Sequence, residues 1–378
     1  MPRMHNSIHP RVEEAVDTLD LNPVTRRRLL AGTGLASASL AATALLSACS
    51  DSNEKAGGAG NFPSTPRWRF VFVCHVTAHP FFTPTQYGIA DACALLNCDY
   101  QWTGSQNSVV AEMVNATNAG VSAKADGIAV AVIDARAFNG PVNAALDAGI
   151  PVVSYNADGE PNNPGTNRLA YIGQPLYDSG RSLGEQLIAT GFNGGEVVCF
   201  IATPGSLNIQ PRSDGARDVL KESGVSHTFT QIATGTDLPA ELNAIEAYLQ
   251  GHANIKAALA VDGGSTDALG KTVAKLKLKD KGVIAGGFDL QPGTLESVKG
   301  GSLDYTIDQQ PYLQGFLPVM ALYLYKLSGG LVSPCDTNTS LSFVTKENVA
   351  QFQDVKTRFE GSDTAQKIVP RSGGIPHK

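Results

Sequence analysis

The chain has 378 residues, 42% of them hydrophobic, and carries 35 acidic against 29 basic side chains for a net charge of −6. That length and apolar content suffice for two domains with cores of their own. A mildly acidic chain with no basic stripe and no run of like charges lacks the electrostatic footprint of a nucleic-acid binder, so no nucleic acid is expected as a partner.

The first segment, residues 1 to 48, reads as an export signal. Thr25-Arg26-Arg27-Arg28-Leu29-Leu30 is followed by an apolar run rich in Ala, Leu and Ser and then by Leu46-Ser47-Ala48-Cys49, the charged, apolar and small-residue order of a cleaved leader. The paired arginines resemble a twin-arginine signal. Leu-Ser-Ala-Cys resembles a bacterial lipobox, which makes Cys49 the lipidated first residue of the mature chain. The alternative is an uncleaved membrane helix over residues 29 to 48; Gly32, Gly34, several Ser and Thr, and the stop at a cysteine argue against it. Residues 49 to 66, the lipidated cysteine and a Gly-, Ser-, Asn- and Pro-rich stretch without apolar period, are expected to form a flexible tether. The protein is therefore expected outside the cytoplasm, in the periplasm or on the cell surface, held to the membrane by lipid.

From Arg67 onward short apolar runs alternate with helical periods. The runs predict strands over 69 to 76, 99 to 105, 127 to 133, 151 to 156 and 169 to 173, then over 196 to 202, 227 to 234, 257 to 262, 283 to 289 and 302 to 308. Between them, stretches such as "SVVAEMVNATNAGVSAKA" and "PAELNAIEAYLQGH" repeat apolar residues at three and four. Continuous apolar strands alternating with amphipathic helices predict an α/β fold with parallel sheets covered on both faces. Two consecutive sets predict two such domains. Of the five cysteines after Cys49, Cys74 and Cys199 sit inside strands and read as buried thiols; Cys93 and Cys98, five apart at a helix end, leave room for a local disulfide. No Cys/His spacing suits zinc, so no metal is expected.

In open parallel sheets ligands bind beyond the carboxyl ends of the strands. There stand His79, Phe81 and Phe82, then Asn156, and in the second set Asn208 and Arg212, Asp262, Asp289, and Gln309. Carboxylates and amides serve hydroxyls that both donate and accept, and an aromatic takes the C–H face of a ring. This is an inventory for a neutral polyhydroxylated ring. Phe82 is expected to plug the end of the sheet while Phe81 faces the ligand.

The chain from about Arg67 to Val344 resembles the periplasmic sugar-binding proteins of ribose- and galactose-type ABC importers. The resemblance is carried by "HPFF", "GSQN", "GIPVVSYNAD", "AYIGQPLYDSGRSLGEQL", "PGSLNIQPRSDGA", "GGFD" and "YTIDQQP", in the family's order. It implies that His79 stands where the family has a sugar-binding Asn or Asp, that Phe81 and Phe82 are its aromatic pair, and that Asn156 is the ligand-contacting amide of the first lobe. It further implies Arg212 as the arginine that clamps ring oxygens, Asn208 as a polar contact, and Asp289 and Gln309 as the remaining carboxylate and amide, with Asp262 near another contact. Two departures stand out: the loop "GTDLP" after the strand at 227 to 234 lacks the family's second aromatic, and Ala157 replaces an arginine that often follows Asn156.

The resemblance also implies two Rossmann-like lobes, residues 67 to 172 plus 310 to 341 and residues 173 to 309 plus 342 to 378, joined by a three-strand hinge that closes on the ligand. The expected function is that of a monomeric solute-binding protein that captures a monosaccharide or similar cyclic polyol and delivers it to an ABC transporter permease. The alternative use of the same fold is a sensory receptor that, when loaded, engages a membrane signalling protein. An enzyme is a distant alternative. No nucleophile motif or phosphate-cradling loop is present and no cofactor is expected, and Asp289 with Asp262 would mimic a glycosidase pair only in composition.

Overall fold

A computed structural model describes residues 63–134, 136–159, 165–355, 357–363, 368 and 369. The expected signal, Cys49 and most of the tether lie outside the described residues. Ten strands and their helices follow the sequence alternation closely. The first sheet takes β1 (Arg69–Cys74), β2 (Asp99–Gly104), β3 (Gly127–Val130), β4 (Val152–Tyr155) and β5 (Tyr171–Gly173), with α1 (Thr83–Leu96), α2 (Val110–Ser122) and α3 (Asn139–Asp147) between them. The second takes β6 (Gly195–Ile201), β7 (His227–Ala233), β8 (Ile255–Ala260), β9 (Ile284–Phe288) and β10 (Tyr305–Asp308). Its helices are α4 (Leu176–Ala189), α5 (Gln210–Glu222), α6 (Leu238–Gly251), α7 (Gly263–Lys275) and α8 (Pro292–Gly300). The chain then runs through α9 (Pro311–Leu327), β11 (Thr337–Asn338), β12 (Ser342–Thr345) and α10 (Val349–Val355).

The two sheets repeat one topology. Their orders are β11-β5-β4-β3-β1-β2 and β12-β10-β9-β8-β6-β7, parallel throughout except for the antiparallel β10–β12 pair. Central strands are apolar because helices cover both faces: five of six residues of β1 and all of β3 and β4 are buried. The edge strands β2 and β7 are half exposed and correspondingly mixed in sequence. Since β4 and β9 occupy the same place in the two sheets, so do the residues that follow them, Asn156 and Asp289.

The chain passes from one sheet to the other three times, between β5 and α4, between β10 and α9, and between β11 and β12. These crossings are bound to one another. Thr339 donates its N–H to the Gly173 carbonyl at 3.0 Å and its hydroxyl to the Gln309 carbonyl at 2.9 Å, while Gln174 Nε2 donates to the Ser340 carbonyl at 3.1 Å.

The end of the chain departs from expectation. Residues 342 to 378 are expected in the second lobe; β12 pairs with β10 and α10 packs against α8. Residues Arg358–Glu360 instead return to α1 and α9 of the first lobe. Arg358 pairs with Asp91 and stacks over Tyr87, and the Phe359 ring meets Tyr312 edge-on at 4.7 Å. An ion pair and an aromatic contact to side chains more than 40 positions away are invisible to local pattern. Cys93 and Cys98 are separate buried thiols, with Cys98 Sγ donating to the Leu96 carbonyl. Among the described residues no cluster of His, Cys, Asp and Glu is placed to hold a metal, and no helix is long and apolar enough to cross a membrane.

Candidate functional site

A cleft opens between the carboxyl ends of the two sheets. All nine residues expected at a ligand site line it, namely His79, Phe81, Phe82, Asn156, Asn208, Arg212, Asp262, Asp289 and Gln309. Together with its open mouth it takes in about 530 Å3 of space not filled by atoms.

The two phenylalanines have different jobs. Pro80 starts a short 3-10 turn, Pro80–Phe82, capped by His79, whose Nδ1 accepts the Phe81 N–H at 3.2 Å. With Nδ1 an acceptor, the proton sits on Nε2, and burial lowers the imidazole to about 4, so it is neutral at neutral pH. Phe82 is fully buried against Trp102 and His75, whereas Phe81 packs edge-on upon it at 4.7 Å and is left half-buried at the cleft. Phe82 thus holds Phe81 in place.

Asn156 and Asp289 each follow a buried strand and adopt left-handed backbone, φ +61° and +77°. Such a kink turns the side chain away from the strand direction and costs about 1 kcal/mol or more for a residue with a Cβ. Both are buried, and they are the two ends of one chain of amides. Asn156 Nδ2 donates to Gln314 Oε1 at 2.9 Å, Gln314 Nε2 to Gln309 Oε1 at 3.1 Å, and Gln309 Nε2 to Asp289 Oδ1 at 2.7 Å. The carboxyl at one end fixes the orientation of every amide in the chain, which leaves Asn156 Oδ1 to accept from a ligand, while the Asn156 backbone oxygen takes the Tyr171 hydroxyl at 3.0 Å.

Arg212 is 3% exposed. Its Nη1 donates to the Val261 carbonyl at 3.0 Å, its guanidinium lies 4.1 Å over the Phe288 ring, and its Nε is buried without a partner. It makes no ion pair with Asp214 or Glu222, which are taken by Arg217 and Arg181. Burial lowers its pKa and the nearby Asp289 raises it. Burial pushes the Asp289 carboxyl up to about 7 against the opposing pull of Arg212.

Asp262 is first a structural group: as N-cap of α7 it accepts the N–H groups of Ser265 and Ala202, at 2.8 and 2.9 Å. Asn208 lies on the second lobe and shares a hydrogen with His75 of the first, Nδ2 to Nε2 at 3.1 Å. Beside it the Leu207 N–H donates to the Ile133 carbonyl at 3.0 Å, and the Leu207 side chain is buried in the first lobe's core. The lobes are therefore in contact at the cleft mouth.

Four further residues at or beside the cleft escaped the sequence reading. Gln174 stands inside the stretch "AYIGQPLYDSGRSLGEQL" but no role is expected of it there, and Gln314 lies in α9, where no motif marks it. His75 stands one residue beyond β1, inside what read as strand. Glu241 was signalled: it is in register with Ile245 and Leu249 on the buried face of α6, and a carboxyl on an apolar stripe needs a reason. Asp158, two residues beyond Asn156, is a buried ion-pair partner of Arg168 at 2.6 Å.

Residues 70–330 match the model of the periplasmic binding protein domain. The chain belongs to that family. Membership implies a location outside the cytoplasm. A xylose/arabinose-binding protein XylF of Sulfolobus acidocaldarius is 46% identical over 318 residues, 82% of this chain and 78% of the relative. A D-ribose/D-allose-binding protein of Pseudomonas aeruginosa is 27% identical over 73% of this chain and 86% of its own. Among solved structures, an ABC transporter solute-binding protein from Burkholderia graminis in complex with D-arabinose has a TM-score of 0.70 at 25% identity, over 76% of this chain and 98% of that one. In this periplasmic binding protein the cleft lies where the family's two lobes meet.

Proposed function

We propose that the protein captures a monosaccharide or similar cyclic polyol outside the cytoplasm and delivers it to an ABC importer, as a non-enzymatic monomer anchored through lipid on Cys49. The observation that carries this reading is the pairing of one aromatic wall, Phe81, with hydrogen-bonding groups from both lobes, Asn156, Arg212, Asp289 and Gln309, in a single cleft. A ring's C–H face suits the phenyl group, and its hydroxyls suit amides and carboxylates that accept and a guanidinium that donates. The sugar-binding relatives support it: the two named above bind xylose and arabinose, and ribose and allose. Because the ligand bridges the lobes, it stabilises the closed arrangement by its contacts to both.

Thermal-shift measurements on the purified protein against pentoses, hexoses and inositols test the reading, since a ligand that binds only the folded state raises the melting temperature. A clear shift with a pentose or hexose is expected. Arg212→Ala should weaken that binding by about 1.5–3 kcal/mol, the worth of hydrogen bonds from a charged donor. No shift with any of these compounds would remove the sugar assignment.

A further inference from the structure

The far side of the cleft holds a group that the fold does not use. Glu241, in the first turn of α6, is 1% exposed, lines the cleft with Phe81, Asn156 and Arg212, and has an Oε2 atom with no hydrogen-bond partner. It follows the loop Gly235-Thr236-Asp237, where no aromatic side chain is available to form a second wall. Space for it is made from the other side. A Cβ on Gly264, in the first turn of α7, would lie 1.9 Å from Glu241 Oε2, so the carboxyl rests against bare backbone there. A buried carboxyl oxygen left unpartnered costs roughly 1–3 kcal/mol, and because Glu241 lines the cleft, a ligand hydroxyl is a partner within its reach.

The state of the carboxyl narrows what it takes. Burial, followed by the charges of Asp262, Asp237 and Asp267, holds it well above the usual carboxylate range. That shift favours the neutral acid, which both donates and accepts, and so matches a hydroxyl. Phe81 comes from the first lobe and Glu241 from the second, on opposite sides of whatever the cleft holds. A pyranose whose hydroxyls are all equatorial has two C–H faces and suits two aromatic walls. A pyranose with an axial hydroxyl has one C–H face and one hydroxyl-bearing face, and suits one aromatic wall and one carboxyl.

We propose that Glu241 is the specificity residue of the second lobe and selects monosaccharides that carry an axial hydroxyl over all-equatorial ones, an inference that rests on the sugar-binding reading above. Calorimetric titration of the full chain with L-arabinose and D-ribose, which place an axial hydroxyl on the pyranose ring, and with D-xylose, which does not, tests it in the parent, Glu241→Leu and Glu241→Gln. In the parent, at least one axial sugar should bind about tenfold or more tighter than xylose, the equivalent of one good hydrogen bond. Glu241→Leu should collapse that ratio by weakening the axial sugar alone, while Glu241→Gln, which keeps a donor and an acceptor, retains most of it. The ligand-free melting temperature of Glu241→Leu should equal or exceed the parent's, because an unpaired polar group leaves the interior.

Xylose binding the parent as tightly as both axial sugars, or a ratio unchanged in Glu241→Leu, overturns the proposal and leaves sugar binding intact. A ligand-free melting temperature lowered by more than about 5 °C in Glu241→Leu makes the carboxyl a structural group and overturns it too. If none of the three binds the parent, D-galactose and D-glucose serve as the axial and all-equatorial pair in the same comparison; equal binding of that pair overturns the proposal, and failure of every pentose and hexose removes it together with the sugar reading beneath it.

Discussion

At the scale of single residues, the cleft stores protonation energy of two signs. Burial raises Asp289 to about 7, and Asp308 just outside the cleft to about 6, from 3.8, and lowers His75 to about 3 and His79 to about 4 from 6.5. A carboxyl whose folded pKa is raised contributes stability that is complete below its unfolded value and lost as pH rises through the folded one. A depressed imidazole contributes stability that is complete above its unfolded value and lost as pH falls through the folded one. The two effects oppose each other below about pH 6.5. Above it the imidazoles are silent and the carboxyls alone titrate, so the ligand-free protein should lose stability between pH 6.5 and 8. In Asp289→Asn, which never ionises, that loss should be smaller by roughly 1 kcal/mol. Denaturation curves at the two pH values measure this, and an equal or larger loss in the variant would take Asp289 out of the account. The identity of Asp289 and Asn156 was legible, because both stand just past an apolar strand. Their left-handed backbone and the amide chain that joins them were not, since Gln314 lies 158 residues from Asn156.

At the scale of elements, each lobe uses a pair of glycines to bring the helix that bears a site residue against its neighbour. In the second lobe a Cβ on Gly180 of α4 would lie 2.1 Å from the Arg212 carbonyl oxygen, and one on Gly215 of α5 would lie 2.3 Å from that of Tyr177. In the first lobe Gly88 of α1 and Gly315 of α9 face the carbonyls of Tyr312 and Thr85 in the same way, at 2.1 and 2.0 Å. Backbone cannot yield as a side chain does, so Gly180→Val should force α4 and α5 apart. Overpacking of this kind costs about 1–3 kcal/mol, and because it displaces Arg212 it should weaken ligand binding as well as stability. Gly140→Ala, in α3 with nothing within 4 Å of the added atom, should leave both unchanged or gain stability slightly. Chemical denaturation and ligand titration of the two variants separate close packing from helix propensity; similar behaviour in both would sink the argument. The helices themselves were readable from their period. Which glycine meets which carbonyl was not, because the period gives a buried face and not its partner.

At the scale of the whole molecule, the two lobes touch at the cleft through Leu207. Its side chain is 8% exposed and belongs to the first lobe's core, although its backbone belongs to the second lobe. Opening the cleft must return that side chain to water at a cost of about 1.5–3 kcal/mol. Leu207→Ser should therefore weaken ligand binding by about tenfold or more while leaving each lobe folded. It should also raise the radius of gyration of the ligand-free protein if the parent is closed part of the time. Titration together with small-angle scattering tests this, and unaltered affinity would show that closure does not depend on this contact.

What the sequence by itself determined is the alternation of strands and helices, the repetition of one sheet topology and the presence of the cleft's polar residues at strand ends. These are consequences of local hydrophobic period and of where an open parallel sheet leaves its strand ends uncovered. The tertiary structure alone decided that Phe82 supports Phe81, that Asp262 serves α7 before any ligand, that the segment at Arg358 crosses back to the first lobe, and that Glu241 faces the cleft unpartnered. Each depends on burial and contact between residues far apart in the chain, and the free energy of a polar group is set by those neighbours and not by the residues beside it in sequence.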